Sequence, residues 1–307
     1  MGSPHDLEDV PSIDLPTRII GLRKLIYVAG LGHSGSTVLD MLLATGGRAV
    51  SLGQIWTVIR EDSLKSQARH CTCGASAPEC IFWGPILRQL ASQQDSLSEA
   101  QRYQLIIKRV DELYGGEMDI IDSSKQISNI ASRRKDLADF DIRVVHNVKD
   151  VRSFTISMLD NAARKGERRL LPEWLFMSWY RTNRAITKSC QSNGIPVARV
   201  AYEGVCLRTK LLTERMAEFL GAEYIDSDAP LTSGAHIISG NRFRLSTAPQ
   251  SRLTYDFRWF ARQEWLRPYA LMPWVRRYNE ECVGEWASPE STWSYSCQVP
   301  ASRTAET

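Results

Sequence analysis

Five short apolar runs punctuate the chain, and each stops abruptly at polar residues. They are Leu25 to Ala29, Arg48 to Leu52, Met118 to Ile121, Ile142 to Val148 and Val197 to Ala201. Their length and apolar character predict strands buried in a sheet. Between them the apolar residues change to helical spacing. Val38, Leu39, Leu42 and Leu43 follow the first run, and a helix from Ser98 to Leu113 follows the second. Ser98 suits the N-cap, Gln101 stands three residues later, and Gly115-Gly116 closes that helix. A long helical region covers 150–193, interrupted near Gly166 and Pro172, and another helix covers 208–220 and stops at Gly221. Residues 60–96 read as irregular, and 256–280 as an aromatic helix. Strands alternating with helices imply an α/β three-layer sandwich, with a mostly parallel central sheet flanked by helices. Residues 1–20 read as an N-terminal arm, 21–285 as one domain and 286–307 as a tail.

In such sheets, ligands bind outside the carboxyl ends of the strands. The sequences GLGHSGST, GQ, DSSK, KD and YE fall at those ends. The first is the densest. Gly30, Gly32, Ser34, Gly35, Ser36 and Thr37 join a strand to a helix. Glycines let the backbone approach a phosphate, successive N–H groups converge on it, and the helix N-terminus adds partial positive charge. The bland alternative is an ordinary strand–helix turn.

Two nucleotide patterns fit the loop poorly. Gly30, Gly32 and Gly35 match GxGxxG, but the second strand ends in Gly53-Gln54 and not in the acid that holds a ribose hydroxyl. Gly30 and Gly35 match the GxxxxG of an NTPase loop, but Ser36 stands where that loop has its phosphate-binding lysine.

Composition narrows the field without deciding it. The 307 residues are 43% hydrophobic and 24% charged, ordinary for a globular protein, and the net charge is +3. Bulk charge therefore gives no reason to expect nucleic acid as a partner, while a local basic groove for a small polyanion stays open. No apolar run approaches the roughly 20 residues of a membrane span. The opening MGSPHDLEDVPSIDLP has no signal-like apolar core, and the cysteines number seven, an odd count that suits a reducing compartment. The expectation is a cytoplasmic protein without a membrane partner.

HSGST before an apolar helix resembles the 5′-phosphosulfate loop of sulfotransferases that use 3′-phosphoadenosine 5′-phosphosulfate (PAPS). In VVHNVKDVRSFTISML, Lys149 and Ser157 stand eight apart, the spacing of that family's 3′-phosphate ligands. CTCGASAPECIFW, IIDSSK, AYEGVC followed by EFLG, and HIISGNRFR are similar to stretches of its bacterial branch, in the same order, from about residue 24 to about residue 280. The resemblance implies a P-loop-like fold and transfer of a sulfuryl group from PAPS to a hydroxyl or nitrogen of a small molecule, with no metal required. It implies that Gly32, His33, Ser34, Gly35, Ser36 and Thr37 hold the 5′-phosphosulfate and that Lys149 and Ser157 hold the 3′-phosphate. Tyr202 is then expected near the adenine, and Gly240, Asn241 and Arg244 in a loop over the nucleotide. Lys125, in DSSK, matches a lysine that in protein-tyrosine sulfotransferases faces the transferring group.

Three positions depart from the family. His33 replaces the usual Arg or Lys and, with an ordinary pKa near 6.5, is either a weaker cation or a proton carrier. Lys149 replaces the usual Arg and loses its bidentate fork. Gln54, 21 residues after His33, stands where many relatives carry a glutamate as general base. Gln54 is expected to orient the acceptor, which leaves His33, His70, Glu61, Asp62 and Asp122 as candidate bases. Acceptor contacts are expected from 55–100 (Trp56, Arg60, Glu61) and 155–195 (Asp160, Asn161, Arg164, Trp174, Trp179). His70, Cys71, Cys73 and Cys80 are ligand types for zinc, but their spacing is not the usual C-x2-C pair, and a disulfide and reduced structural cysteines are the alternatives. A nucleotide-dependent kinase and an inactive nucleotide-binding module are the rival readings.

Overall fold

The computed structural model describes residues 22–61, 63–93, 96–167, 170–222, 225–231, 235–245 and 253–284. The expected arm and tail lie outside these residues. The five strands are β1 (Arg23–Gly30), β2 (Ala49–Ser51), β3 (Asp119–Lys125), β4 (Phe140–Val148) and β5 (Val197–Ala201). They form one sheet in the order β2-β3-β1-β4-β5, every pair parallel.

The side chains of β1 show why the sheet is covered on both faces. Leu25, Tyr27 and Ala29 enter one core with α2 (Ile55–Arg60) and the helices Trp83–Ser92, Glu99–Tyr114 and Pro172–Ser192. Ile26 and Val28 point the other way, into a second core with α1 (Ser36–Leu43) and the helix Thr209–Leu220. The apolar run Leu25 to Ala29 still obeys the period of two, because both faces are dry. A third cluster packs Val148, Phe154 and Trp179 against Val275 and Cys282 of the helix Pro273–Val283.

The expected capping box is present: the Gln101 N–H donates to Ser98 Oγ at 3.3 Å, and the Ser98 N–H to Gln101 Oε1 at 2.8 Å. Two other expectations are corrected. Residues 60–96 contain the helix Trp83–Ser92, whose apolar stripe Trp83, Ile86, Leu87 and Leu90 is buried in the first core. The aromatic stretch 256–280 is three short pieces, Phe257–Ala261, Leu266–Leu271 and Pro273–Val283. Met272 precedes a proline and cannot easily stay helical, so the chain restarts with Pro273 at the first helical position.

Central β1 feeds a helix on one face and is flanked by β3 and β4, so the strand order reverses beside it. That is the position at which an open parallel sheet leaves a crevice. The β1–β3 ladder also slips. Tyr27 pairs with Asp122 but Ala29 with Lys125, so β3 carries one extra residue just before its end.

Candidate functional site

The loop from β1 to α1 makes the floor of a cleft of about 970 Å³. Among the described residues, no N–H from Gly32 to Thr37 has a backbone acceptor, so the loop presents a row of uncommitted donors at the start of α1. Gly35 is required there. Its φ is 88°, and a Cβ would lie 2.3 Å from the Tyr202 ring. Tyr202 therefore closes over the loop, and the Lys149 ammonium stands 4.9 Å from its ring centre.

Lys149 follows β4 directly and is almost wholly buried. Its Nζ lies 3.0 Å from Ser157 Oγ, two turns along the helix Val151–Arg164, so the eight-residue spacing does bring the cation and the hydroxyl together. A carboxylate meets both. Asp256 Oδ2 is 3.2 Å from Lys149 Nζ and 3.4 Å from Ser157 Oγ. Arg258 grips the same carboxylate with Nε and Nη2, each at 2.8 Å, and reaches Asp160 with Nη1 at 2.6 Å. Burial alone raises the Asp256 pKa, but the Arg258 hydrogen bonds and the charges of Lys149 and Arg258 outweigh it and hold the carboxyl well below the usual range.

A second cavity of about 560 Å³ opens beside the first, lined by Trp56, Thr57, Arg60 and Glu61 of the α2 segment and by Ser124, Gln126, Asn129 and Thr182. The two cavities share Gly32, Gln54 and Lys125. Gln54 is placed by Gly53, whose φ of 69° and contact with the Ser239 carbonyl leave no room for a side chain. The Gln54 N–H donates to that carbonyl at 3.3 Å. Lys125 is placed by the extra residue of β3 and by a left-handed backbone, φ 71°. His33, φ 65°, is the other non-glycine residue with positive φ among those described. Both strained residues line the cleft, and such strain concentrates at functional sites.

Charge at the junction is positive. Burial, then the charges of Lys125, Lys149, Arg164 and Lys165, push the His33 pKa down to about 4, so its imidazole is neutral near pH 7. Burial also lowers the Lys125 pKa, partly offset by the charge of Asp40. Asp40 lies under the loop, where Ser51 and Ser123 each donate to it at 2.6 Å, and burial raises its pKa to about 7.

Most residues expected from the sequence line the first cavity: Gly32, His33, Gly35, Ser36, Thr37, Lys149, Ser157, Tyr202, Gly240 and Asn241, with Gln54 and Lys125 at the shared wall. Two do not. Ser34 is buried, and its hydroxyl donates to the Leu31 carbonyl at 2.8 Å, shaping the loop from within. Arg244 is buried behind the 237–241 segment, where its guanidinium donates to the Ile237 and Ile238 carbonyls at 3.3 and 3.0 Å. Its charge is spent on loop carbonyls and does not face the cleft.

Of the acceptor-side candidates, Trp56, Arg60 and Glu61 line the second cavity, whereas Asp160 and Arg164 line the first. Asn161 lines neither, Trp174 is exposed, and Trp179 is core, its Nε1 donating to the Lys149 carbonyl at 2.9 Å. Of the candidate bases, His33 lies on the first cavity and Glu61 on the second, paired with Arg69 at 2.5 Å. Asp122 is buried behind Ser124, which donates to it, and burial raises its pKa to about 7. His70 is exposed and lines neither cavity, and Asp62 lies outside the described residues.

Sequence reasoning missed Asp256 and Arg258, which follow no fixed spacing from Lys149. It also missed Ser124, although DSSK contains it.

The sequence matches no family model and no curated protein. Solved structures do match. The chain is similar to the sulfotransferase domain of the olefin synthase of Synechococcus PCC 7002, with a TM-score of 0.51 at 14% identity over 84% of this chain and 98% of that domain. It also matches the sulfotransferase domain from the curacin biosynthetic pathway, with a TM-score of 0.48 at 14% identity over 82% of this chain and 98% of that one. A third match is a sulfotransferase from Mycobacterium tuberculosis H37Rv, with a TM-score of 0.40 at 12% identity over 82% of this chain and 76% of that one. At 14% identity the likeness to the Synechococcus domain is one of fold, and the fold of this chain is that of a sulfotransferase domain.

Proposed function

We propose that the protein transfers a sulfuryl group from PAPS to a hydroxyl or nitrogen of a small-molecule acceptor by in-line displacement. One observation carries the reading: two cavities meet at Gly32, Gln54 and Lys125, one lined by anion-binding groups and the other by mixed polar and aromatic ones. The residues fit the donor at both ends. The N–H row of 32–37 and the hydroxyls of Ser36 and Thr37 suit a phosphosulfate. Lys149 and Ser157 already hold an anion, the Asp256 carboxylate, where a 3′-phosphate belongs in this reading. PAPS supplies an activated sulfuryl group on a good leaving group, and the chain supplies position and charge.

Lys125, from the shared wall, offsets negative charge that develops on the transferring group. Gln54 offers its amide to the acceptor from the same wall, which fixes the attack direction. Gln54 cannot take a proton. Of the candidate bases, His33, neutral on the donor side, and Glu61 on the acceptor side are the ones that face the cavities. Among the described residues, no helix is long and apolar enough to cross a membrane.

Calorimetry with 3′-phosphoadenosine 5′-phosphate, ATP and NAD tests the reading. The 3′-phosphorylated nucleotide should bind most tightly, and binding of ATP without it would favour the kinase alternative. Lys149→Ala should weaken that nucleotide far more than adenosine 5′-phosphate; equal losses would remove Lys149 from the 3′-phosphate. Binding with no turnover across a broad acceptor panel would leave a nucleotide-binding module, the reading that Gln54 keeps open.

A further inference from the structure

Away from both cavities, three cysteines and a histidine converge. Cys71, Cys73 and Cys80 lie in one segment, and His236 joins them from a strap 156 residues beyond Cys80. One ligand atom from each lies within 4.8 Å of all the others. The finer distances identify the arrangement. Cys71 Sγ and Cys80 Sγ are 3.5 Å apart, and Cys73 Sγ and Cys80 Sγ 3.7 Å. His236 Nδ1 lies 3.3 Å from Cys80 Sγ and 3.7 Å from Cys71 Sγ. A disulfide needs sulfurs about 2.05 Å apart, and none of these pairs is that close. In a tetrahedron with Zn–S near about 2.3 Å and Zn–N near about 2.0 Å, the edges are about 3.8 Å between sulfurs and about 3.5 Å from sulfur to nitrogen. These four spacings fall within about 0.3 Å of those edges, and the other two, from Cys73 to Cys71 and to His236, are within 4.8 Å.

We propose that Cys71, Cys73, Cys80 and His236 form a closed structural zinc site. His70, the histidine nearest in sequence, is not a ligand; it is exposed, and His236 takes its place. The ligands are held before any ion arrives. Cys71-Thr72-Cys73-Gly74 makes a tight turn, with the Cys71 N–H donating to the Ala75 carbonyl and the Gly74 N–H to the Cys71 carbonyl. The histidine is fixed as well: its ring stacks on Phe82 at 5.7 Å, and Trp83 Nε1 donates to its carbonyl at 2.6 Å.

Four protein ligands complete a tetrahedron, and none of the four lines either cavity, so the role of the site is to tie chain to chain. His236 begins the strap whose Ser239 carbonyl receives the Gln54 N–H and whose Asn241 N–H donates to Thr37 Oγ1 at 3.2 Å. Zinc would pin that strap to the 71–80 segment from behind, independently of what the cavities bind.

Elemental analysis of the full chain, purified without metal-affinity resin from zinc-containing medium, should find one zinc per chain that survives dialysis against a weak chelator. Cobalt added to chelator-stripped protein should give the visible spectrum of a tetrahedral thiolate centre. Cys73→Ser alters an exposed ligand and should leave the protein folded, yet lower zinc affinity at least about tenfold and weaken the cobalt bands. His236→Ala should do the same. Folded protein that stays metal-poor and gives no cobalt spectrum would overturn the proposal, and so would a Cys71–Cys80 disulfide in mass spectra of the unreduced, alkylated protein.

Discussion

Asp256 occupies the seat that a 3′-phosphate needs in the proposed reading, and this makes a measurable conflict. Its carboxylate touches Lys149 Nζ and Ser157 Oγ at 3.2 and 3.4 Å, so a phosphate on those two groups must displace it or lie against it. Two unit charges about 4 Å apart repel by about 1 kcal/mol in bulk water and about 4 kcal/mol at an effective dielectric of about 20. The Asp256 side chain is 19% exposed, which favours an intermediate value. Asp256→Asn keeps the shape and removes the charge. It should tighten binding of 3′-phosphoadenosine 5′-phosphate by about 1–3 kcal/mol, roughly five- to 150-fold, and leave adenosine 5′-phosphate nearly unchanged. Calorimetry at low and high salt reads both, and the gain should shrink as salt rises. A variant that bound the 3′-phosphorylated nucleotide more weakly would refute the reasoning. Asp256 would then serve the ligand by orienting Arg258, which it holds through two hydrogen bonds.

The shared wall and the groups beneath it can be tested in the same way. Gln54→Ala should lower turnover or raise the KM for acceptor while sparing donor affinity; steady-state kinetics that show neither change would remove Gln54 from the acceptor. Asp40 titrates near 7 in the fold against 3.8 for the free side chain, so its contribution to stability is complete below about pH 4 and is lost as pH rises through 7. Asp40→Asn should therefore gain on the wild type in melting temperature between about pH 5 and about pH 8, and a difference flat with pH would show that Asp40 does not titrate there. His33→Gly relieves a left-handed backbone that costs a non-glycine residue about 1–2 kcal/mol, so it should melt no lower than the wild type while losing transfer activity. Scanning calorimetry that found it clearly less stable would mean the imidazole contributes more than its backbone costs.

What is legible in the sequence is local. The five strands, the loop after β1 and the Lys149–Ser157 pair each depend on residues close together in the chain, where a period or a spacing carries the signal. Ser34 and Arg244 hold motif positions that point to the nucleotide, yet the fold turns both inward, because a buried loop needs donors for its own carbonyls. Asp256 meets Lys149 across 107 residues, and His236 meets Cys80 across 156, separations at which no periodicity speaks. The cysteines are visible as ligand types, but the sequence sets His70 beside them and hides the histidine that joins them in space. The extra residue in β3 that aims Lys125 leaves no mark at all, since DSSK reads equally well as a plain strand end.

Among the described residues the two cavities have only Gly32, Gln54 and Lys125 in common. Thr57, Arg60, Gln126, Asn129 and Thr182 belong to one wall alone. Under the proposed reading, substitutions at those residues would change the acceptor without touching the groups proposed to hold the nucleotide, so the two halves of recognition can be altered separately.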